Sequence, residues 1–463
     1  MARILLVIPG INRGSDKFAL RLAKELSEKY GYSFVIIGRW FSNDNKGYLY
    51  KLYDVNGNVI YGWYSDEKED FLEFIERSGP YDLVHTHTAT VALDGDLDAI
   101  LNRIGKKPVI FTPHGSFVVR AFDREFLPFR EEFYKNPKET LDTLIRKGAR
   151  PGGYEEGGKN IEKILKDWWN KEDNRELLDA YTLEDSEFKY PWQKWWLLGF
   201  FKDLEERAME SSDIVVHVSN WINGMFNSIY GDKHRKKSLV IRDGIHYTEM
   251  LKDPKKYRII REVAEFYKKI YGNSNRKWYI FIGAWEPEKG IYDLIKAYKI
   301  VKSKRKDVGL IIIGGTNNKR IKKYIEREGH KLKDVHLYSP LYKNSLNDLY
   351  LAGLLLALNE LGIGVYVHPA WVEDFGLAPL EAAYIGLPVI AYNLGGPQEI
   401  LVKNGLAVGV KPHSISDLSE RMIEVVDNVR AYMNDKNRHI IERYFSFERV
   451  IKEYHRLYSS LIK

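Results

Sequence analysis

Two glutamates, Glu373 and Glu381, stand with seven residues between them inside the run HPAWVEDFGLAPLEAAYIGLPVIAYNLGGPQEI, His368 to Ile400. A carboxylate at either position could accept hydroxyl groups of a sugar or a ribose, and the loop between them suits a phosphate. Val365-Tyr366-Val367 reads as a strand end, and Pro369 breaks the ladder after it. A helix is expected from near Gly376 through Leu380-Glu381-Ala382-Ala383. It stops at Gly386, with Pro388 beyond it to prevent continuation. The start of that helix offers unpaired N–H groups and a positive dipole end to an anion. Glu381, in the first turns, could accept two ribose hydroxyls, as the acidic residue of dinucleotide folds does. Glu373, ahead of the helix, could reach a hexose on the far side of a diphosphate. For the pair alone, the simpler reading is a helix whose acidic start is stabilised by the dipole.

The surrounding segments change that balance. Ile4-Leu5-Leu6-Val7-Ile8 leads to Arg13-Gly14-Ser15-Asp16 and a helical run to Leu26. Asp82-Leu83-Val84-His85-Thr86-His87 and Thr112-Pro113-His114-Gly115-Ser116 follow, then Asp213 to Ser219 and Val240-Ile241-Arg242-Asp243-Gly244-Ile245. The second half holds Phe281-Ile282-Gly283-Ala284-Trp285-Glu286-Pro287-Glu288-Lys289-Gly290, Ile311 to Gly315, and a tail Phe445-Ser446-Phe447-Glu448-Arg449. In this order, and with the Glu373–Glu381 pair, the segments resemble the retaining family-4 glycosyltransferases of GT-B fold along most of the chain.

The resemblance implies an α/β architecture, with two Rossmann-like, doubly wound parallel-sheet domains facing a cleft. Residues 1–246 would form the acceptor-side domain, with an insert at about 117–205. Residues 247–440 would bind the nucleotide-sugar, and 441–463 would form a C-terminal helix crossing back. It implies a UDP- or GDP-linked sugar as co-substrate and a sugar or lipid-linked acceptor. Transfer would proceed with retention, and no metal would be obligatory. Breaking the glycosidic bond puts charge on a phosphate oxygen, which calls for a cation and oriented N–H donors. Lys289, where Gly290 opens a helix, is the candidate; a solvated surface lysine is the alternative. Glu381 would hold the ribose and Glu373 the transferred sugar, with Asp374, Phe375, Gly376 and Leu377 around the sugar and phosphate. Gly283 and Gly315 would line the nucleotide, Gly14 would approach the diphosphate with Asp16 beside it, and His114 would lie near the reacting sugar. The chain departs from the family at Ala284, where an arginine is usual, at Asp374 and Arg13, where glycine is usual, and at Asp16, where glutamate is usual. Arg242 or Arg13 could replace the missing arginine.

Composition agrees with two domains and an insert. The chain has 463 residues, 44% hydrophobic, with no cysteine and a net charge of +7. Disulfides and thiolate metal sites are therefore excluded, and the modest positive charge permits an acidic partner without demanding one. Nucleic acid is not an expected partner. Ile4–Ile8 is strand-length and runs into Pro9-Gly10, unlike a signal peptide. The longest apolar run, Leu349 to Val367, contains Asn359 and Glu360 and reads as a buried helix and strand rather than a membrane span. A cytoplasmic protein is expected, and abundant Lys and Glu hint at a hot-living source. Apolar runs at Ile4–Ile8, Phe34–Ile37, Leu83–His85, Val109–Thr112 and Ile214–Val218 alternate with helical patterns. Tyr279–Ile282, Leu310–Ile313, Val335–Leu337, Tyr366–His368 and Val389–Tyr392 do the same in the second half, as parallel sheets require.

The insert is rich in charge and aromatics, most densely over 188–202. That stretch could form a satellite core, lie in a membrane interface or stack on acceptor sugars. Gly153 to Lys159 almost spells a phosphate loop but ends in Asn160 and carries two glutamates, so a flexible loop is expected. Asp94-Gly95-Asp96-Leu97-Asp98 resembles the metal-binding acidic motif of the other glycosyltransferase fold, but no other feature of that fold accompanies it and it reads as a solvated turn. His85 and His87 should face opposite sides of a strand, one in the core and one in the cleft. Two rival functions stand beside the transferase: a GT-B phosphorylase or epimerase, and a non-catalytic sugar-nucleotide-binding protein.

Overall fold

The structure, a computed structural model, describes residues 2–8, 14–41, 48–89, 96–183, 186, 188–231, 234–338, 346–434 and 436–462. Two sheets organise it. The first contains β1 (Arg3–Ile8), β2 (Ser33–Phe41), β3 (Tyr48–Tyr53), β4 (Val59–Trp63), β5 (Leu83–Thr86), β6 (Val109–Phe111), β7 (Ile214–His217) and β8 (Ser238–Val240). Their order is β4-β3-β2-β1-β5-β6-β7-β8. The second contains β9 (Lys277–Ile282), β10 (Val308–Ile313), β11 (Val335–Tyr338), β12 (Gly364–His368), β13 (Val389–Tyr392) and β14 (Val408–Val410), in the order β11-β10-β9-β12-β13-β14.

The buried apolar runs become the central strands: β10, β12 and β13 are buried throughout. Strand order reverses between β1 and β5 and between β9 and β12, the two places where doubly wound sheets take ligands. The first sheet is not wholly parallel, which corrects the sequence expectation. β2 pairs antiparallel with β3, and β3 with β4; Asp54 makes the turn between β3 and β4. Its carboxylate accepts from the N–H groups of Asn56 and Asn58, an Asx-type turn.

The helix Phe447–Leu461 buries Phe447, Val450, Ile451, Tyr454 and Tyr458 against Ile4, Leu22, Leu83 and Ile110 of the first domain. The insert is a set of short helices on a shared core. Trp169, Trp192 and Leu198 are buried there, and among the aromatic residues of 188–202 only Phe188 is exposed. Tyr190, Trp195, Trp196, Phe200 and Phe201 are half-buried, and all but Trp196 pack against that core, which is the satellite-core arrangement. One insert helix, Arg175–Tyr181, also docks on the second domain. Glu176 pairs with Lys296 at 2.6 Å, the Ala180 carbonyl accepts from Asn318 at 2.7 Å, and the Tyr181 hydroxyl donates to Glu288 at 3.0 Å.

Three local expectations are corrected. Gly153 to Lys159 is an ordered turn rather than a flexible loop: Gly148 packs on Gly153 and Gly158, Trp195 covers Gly158, and Lys159 pairs with Glu155 at 2.8 Å. Of the acidic turn, Asp94 and Gly95 lie outside the described residues, and Asp96 is buried rather than solvated, pairing with Lys68 at 2.7 Å. His85 and His87 are both buried, with ring centroids 4.2 Å apart. Residues two apart along a strand share a face, so alternation gives no ground for separating them. Among the described residues, no helix is long and apolar enough to cross a membrane.

Candidate functional site

The site lies at the reversal of the second sheet, where the loops after β9 and β12 meet. Trp371 N–H donates to the Glu288 carbonyl at 2.8 Å, fastening one loop to the other. Gly290 makes the contact possible: its φ is 77°, and a side chain there would strike the Pro369 carbonyl. This approach sets Lys289 beside Glu373, Nζ to Oε2 at 2.8 Å, with side chains 27% and 21% exposed. His368 Nε2 lies 3.8 Å from the same oxygen. Burial pushes the Glu373 carboxyl up, but Lys289, His368 and Arg120 outweigh it and hold it at about 2. Burial likewise lowers Lys289, and Glu373 more than restores it. Both groups are therefore charged at neutral pH.

The helix beyond runs Leu377–Ile385, between left-handed Gly376 and Gly386, and no side chain caps its first turn. Phe375 points inward, its ring 6.0 Å from that of Phe445, so only its backbone faces the loop chemistry. Gly396 N–H donates to the Glu373 carbonyl at 2.8 Å, so the Gly395-Gly396 turn holds the loop from behind. Glu381 stands in the second turn, half-buried. Burial, reinforced by Asp348 and opposed by Arg21 and Lys17, pushes its carboxyl up to about 8. Lys17 and Arg21 belong to the first-domain helix Gly14–Tyr30, and Arg21 reaches Asp348 at 3.3 Å. The cleft is thus narrow at this end.

Gly14 opens that helix and Asp16 is buried in its first turn; Arg13 lies outside the described residues. Gly283 N–H donates to the Ile313 carbonyl and Trp285 N–H to the Gly315 carbonyl at 2.9 Å, so both glycines line the ends of β9 and β10. His114, at the end of β6, is 12% exposed. Its Nε2 shares a proton with His87 Nδ1 at 2.7 Å, and its Nδ1 lies 3.9 Å from Asp243. Burial and the charge of Arg120 hold His114 at about 3, hence neutral. Arg242, an arginine that could replace the one missing at Ala284, donates to Glu399 at 3.1 and 3.3 Å.

Two partners escaped the sequence reading. Arg120 crosses from the first domain to Asp374, Nη2 to Oδ2 at 3.0 Å. Burial raises the Asp374 carboxyl, and Arg120 opposes it. The available signal was a cation four residues beyond Ser116, on the helix that follows the His114 loop. Glu399 accepts from Asn220 at 2.9 Å and from the N–H of Trp221 at 2.8 Å. It thereby satisfies the start of the first-domain helix Asn220–Tyr230. Among the described residues, no group of three or more histidine and carboxylate side chains is placed to hold a metal ion.

Known proteins resemble this chain in part of its sequence and in its fold. Residues 263–443 match the glycosyl transferases group 1 family. Sucrose-phosphate synthase 1 of Arabidopsis thaliana is 28% identical over 174 residues, which is 34% of this chain and 16% of that relative. The sucrose-phosphate synthase structure from Thermosynechococcus elongatus superposes with a TM-score of 0.62 at 15% identity, covering 100% of this chain and 99% of that one. Anabaena HepE in complex with UDP and glucose gives 0.58 at 13% identity, covering 99% of both. These likenesses, with the β9/β12 reversal, put the fold beyond sequence pattern alone. The match to the glycosyl transferases group 1 family spans residues 263–443, and the chain as a whole has the GT-B fold, two Rossmann-like domains facing a cleft.

Proposed function

We propose that the chain is a retaining hexosyltransferase, moving a hexose from a nucleotide-diphosphate sugar to a hydroxyl of a sugar, glycan or lipid-linked glycan without an obligatory metal. The observation that carries this reading is the meeting of Lys289, Glu373 and the uncapped start of Leu377–Ile385 at the reversal point of the second sheet. The UDP and glucose held by Anabaena HepE, a protein of the same fold, support a donor of this class. The donor's ribose hydroxyls bond to Glu381, its diphosphate lies at the helix start and Lys289, and its hexose bonds to Glu373. As the anomeric bond breaks, the electron pair goes to the β-phosphate oxygen, where Lys289 and the N–H groups stabilise it. The acceptor oxygen attacks the same face, and its proton passes to the departing phosphate. Retention and freedom from metal follow from the resemblance, and the donor base and sugar are for the experiment to find.

The test is a panel of UDP-, GDP- and ADP-sugars scored for thermal shift and nucleotide release. Glu373→Gln and Lys289→Ala are each expected to lower kcat/KM at least tenfold, since a charge-assisted hydrogen bond contributes about 1.5–3 kcal/mol. If both variants released nucleotide like the parent, the site would be misassigned. An inverted anomeric product would sink the front-face mechanism.

A further inference from the structure

We propose that Arg120 is a second phosphate-binding cation of the donor site, delivered across the cleft by the first helix of the insert and held by Asp374 until the donor arrives. The inference rests on the nucleotide-sugar reading above. The loop after β9, Gly283 to Gly290, carries one cation, Lys289, and Ala284 adds none. A donor diphosphate spreads its charge over two phosphoryl groups, and a single half-buried ammonium covers one side of it.

The loop after β12 supplies the symmetry. Its neighbouring residues Glu373 and Asp374 each hold one cation, Lys289 at 2.8 Å and Arg120 at 3.0 Å. The two cations come from different domains, so an anion between the walls of the cleft would meet both. Arg120 is built into place. It starts from the helix Phe117–Phe122, whose N-cap Ser116 follows His114 and Gly115. Its Nη2 also donates to the His114 carbonyl at 3.4 Å. At Gly115, with φ of 149°, any side chain would overlap both the Arg120 guanidinium and the Asp374 carboxylate. The pair therefore lies directly on the first-domain backbone.

Exposure and donor use point the same way. The Asp374 side chain is 6% exposed and that of Arg120 37%, so the carboxylate is shut in while the guanidinium faces the cleft. Asp374 and His114 engage Nη2, and among the described residues no hydrogen bond takes Nη1 or Nε, which are left to a ligand. A planar fork with two free edges suits a phosphate better than an ammonium does. Arg242 is bound to Glu399 through Nε and Nη2, and Arg124 lies 3.7 Å from Glu288 and 4.0 Å from Glu125. An aspartate at position 374 thus keeps a distant arginine poised at the site, at the cost of competing with the phosphate for it.

The experiment compares a nucleoside diphosphate with the matching monophosphate, by titration calorimetry on the full chain. The base is the one of UDP, GDP and ADP that most stabilises the parent. Arg120→Ala should lower the preference for diphosphate over monophosphate about ten- to a hundredfold, the weight of a charge-assisted hydrogen bond. Arg120→Lys should recover part of it, and Asp374→Asn should tighten the diphosphate by freeing the guanidinium. Should Arg120→Ala not fold, Arg120→Gln carries the same comparison. Equal weakening of both nucleotides would mean that Arg120 only joins the domains, and would overturn the proposal. An unchanged ratio would overturn it too, while leaving the nucleotide-sugar reading intact. A parent that binds none of the three diphosphates would remove both.

Discussion

If the proposed function holds, Glu381 is the residue whose charge state should most affect donor binding. An unfolded chain ionises such a carboxyl near its ordinary value of 4.5, and burial pushes it up to about 8 in the fold. Between those values the folded state holds the extra proton, so this group lowers stability as pH rises from 4.5 towards 8. Binding runs the other way. Ribose hydroxyls donate to the ionised carboxylate, so affinity for a nucleotide-sugar should rise from pH 6 to pH 8 and level off above. Calorimetry in buffers of different ionisation enthalpy should show a proton released on binding, and Glu381→Gln should bind more weakly with a flat profile. An identical pH profile in the variant would show that another group titrates, Asp243 being the first to examine. Burial pushes its carboxyl up to about 8, with Arg449 opposing and Asp374 and Glu373 reinforcing. Sequence grouped Glu373, Glu381 and Lys289 through the resemblance to a known family, with the glycine turns and helix starts beside them in support. It could not place Arg120 there, since the contact with Asp374 spans 254 positions and depends on how the two domains face each other.

Elements were legible in proportion to their burial. The central parallel strands announce themselves as apolar runs because both faces are covered. β8 and β14, three residues each like β6, are partly exposed where β6 is buried throughout, so no apolar run marks them. The β3–β4 hairpin was missed although Asp54-Val55-Asn56-Gly57-Asn58 is a recognisable turn signal; β4 is exposed over Val59, Ile60 and Tyr61, so the apolar alternation that would mark it is weak. Between domains, the element that matters most is the start of Asn220–Tyr230. Glu399 accepts from its Trp221 N–H and from Asn220, and also holds Arg242. A carboxylate at a helix start gains from the dipole as well as from the bonds. Glu399→Ala should therefore accelerate amide exchange at Trp221 and Ile222 without altering the central strands β9 and β10. Exchange at Trp221 equal to the parent would show that solvent replaces the carboxylate at no cost.

The two domains are joined by more than the cleft. The insert helix Arg175–Tyr181 docks on the second domain, and the last helix, Phe447–Leu461, completes the first. The weight of that last helix can be judged from what it buries. Phe447, Val450, Ile451, Tyr454 and Tyr458 are each no more than 2% exposed. At about 1.5–3 kcal/mol for each buried side chain, they contribute on the order of 7–15 kcal/mol, comparable to the whole stability of an ordinary domain. Its removal would uncover Ile4, Leu22, Leu83 and Ile110 together. It also reaches towards the chemistry: Tyr458 bonds His85 at 2.6 Å, His85 packs on His87, and His87 shares a proton with His114. A chain ending at Ser446 should thus lose cooperative folding of the first domain, seen as a missing transition in urea by far-UV circular dichroism, and with it nucleotide release. A chain ending at Leu461 should keep both, because the buried face is then intact. If the shorter chain unfolded at the parental urea midpoint, the helix would be an appendage, and the route from Tyr458 to His114 would have no part in holding the site.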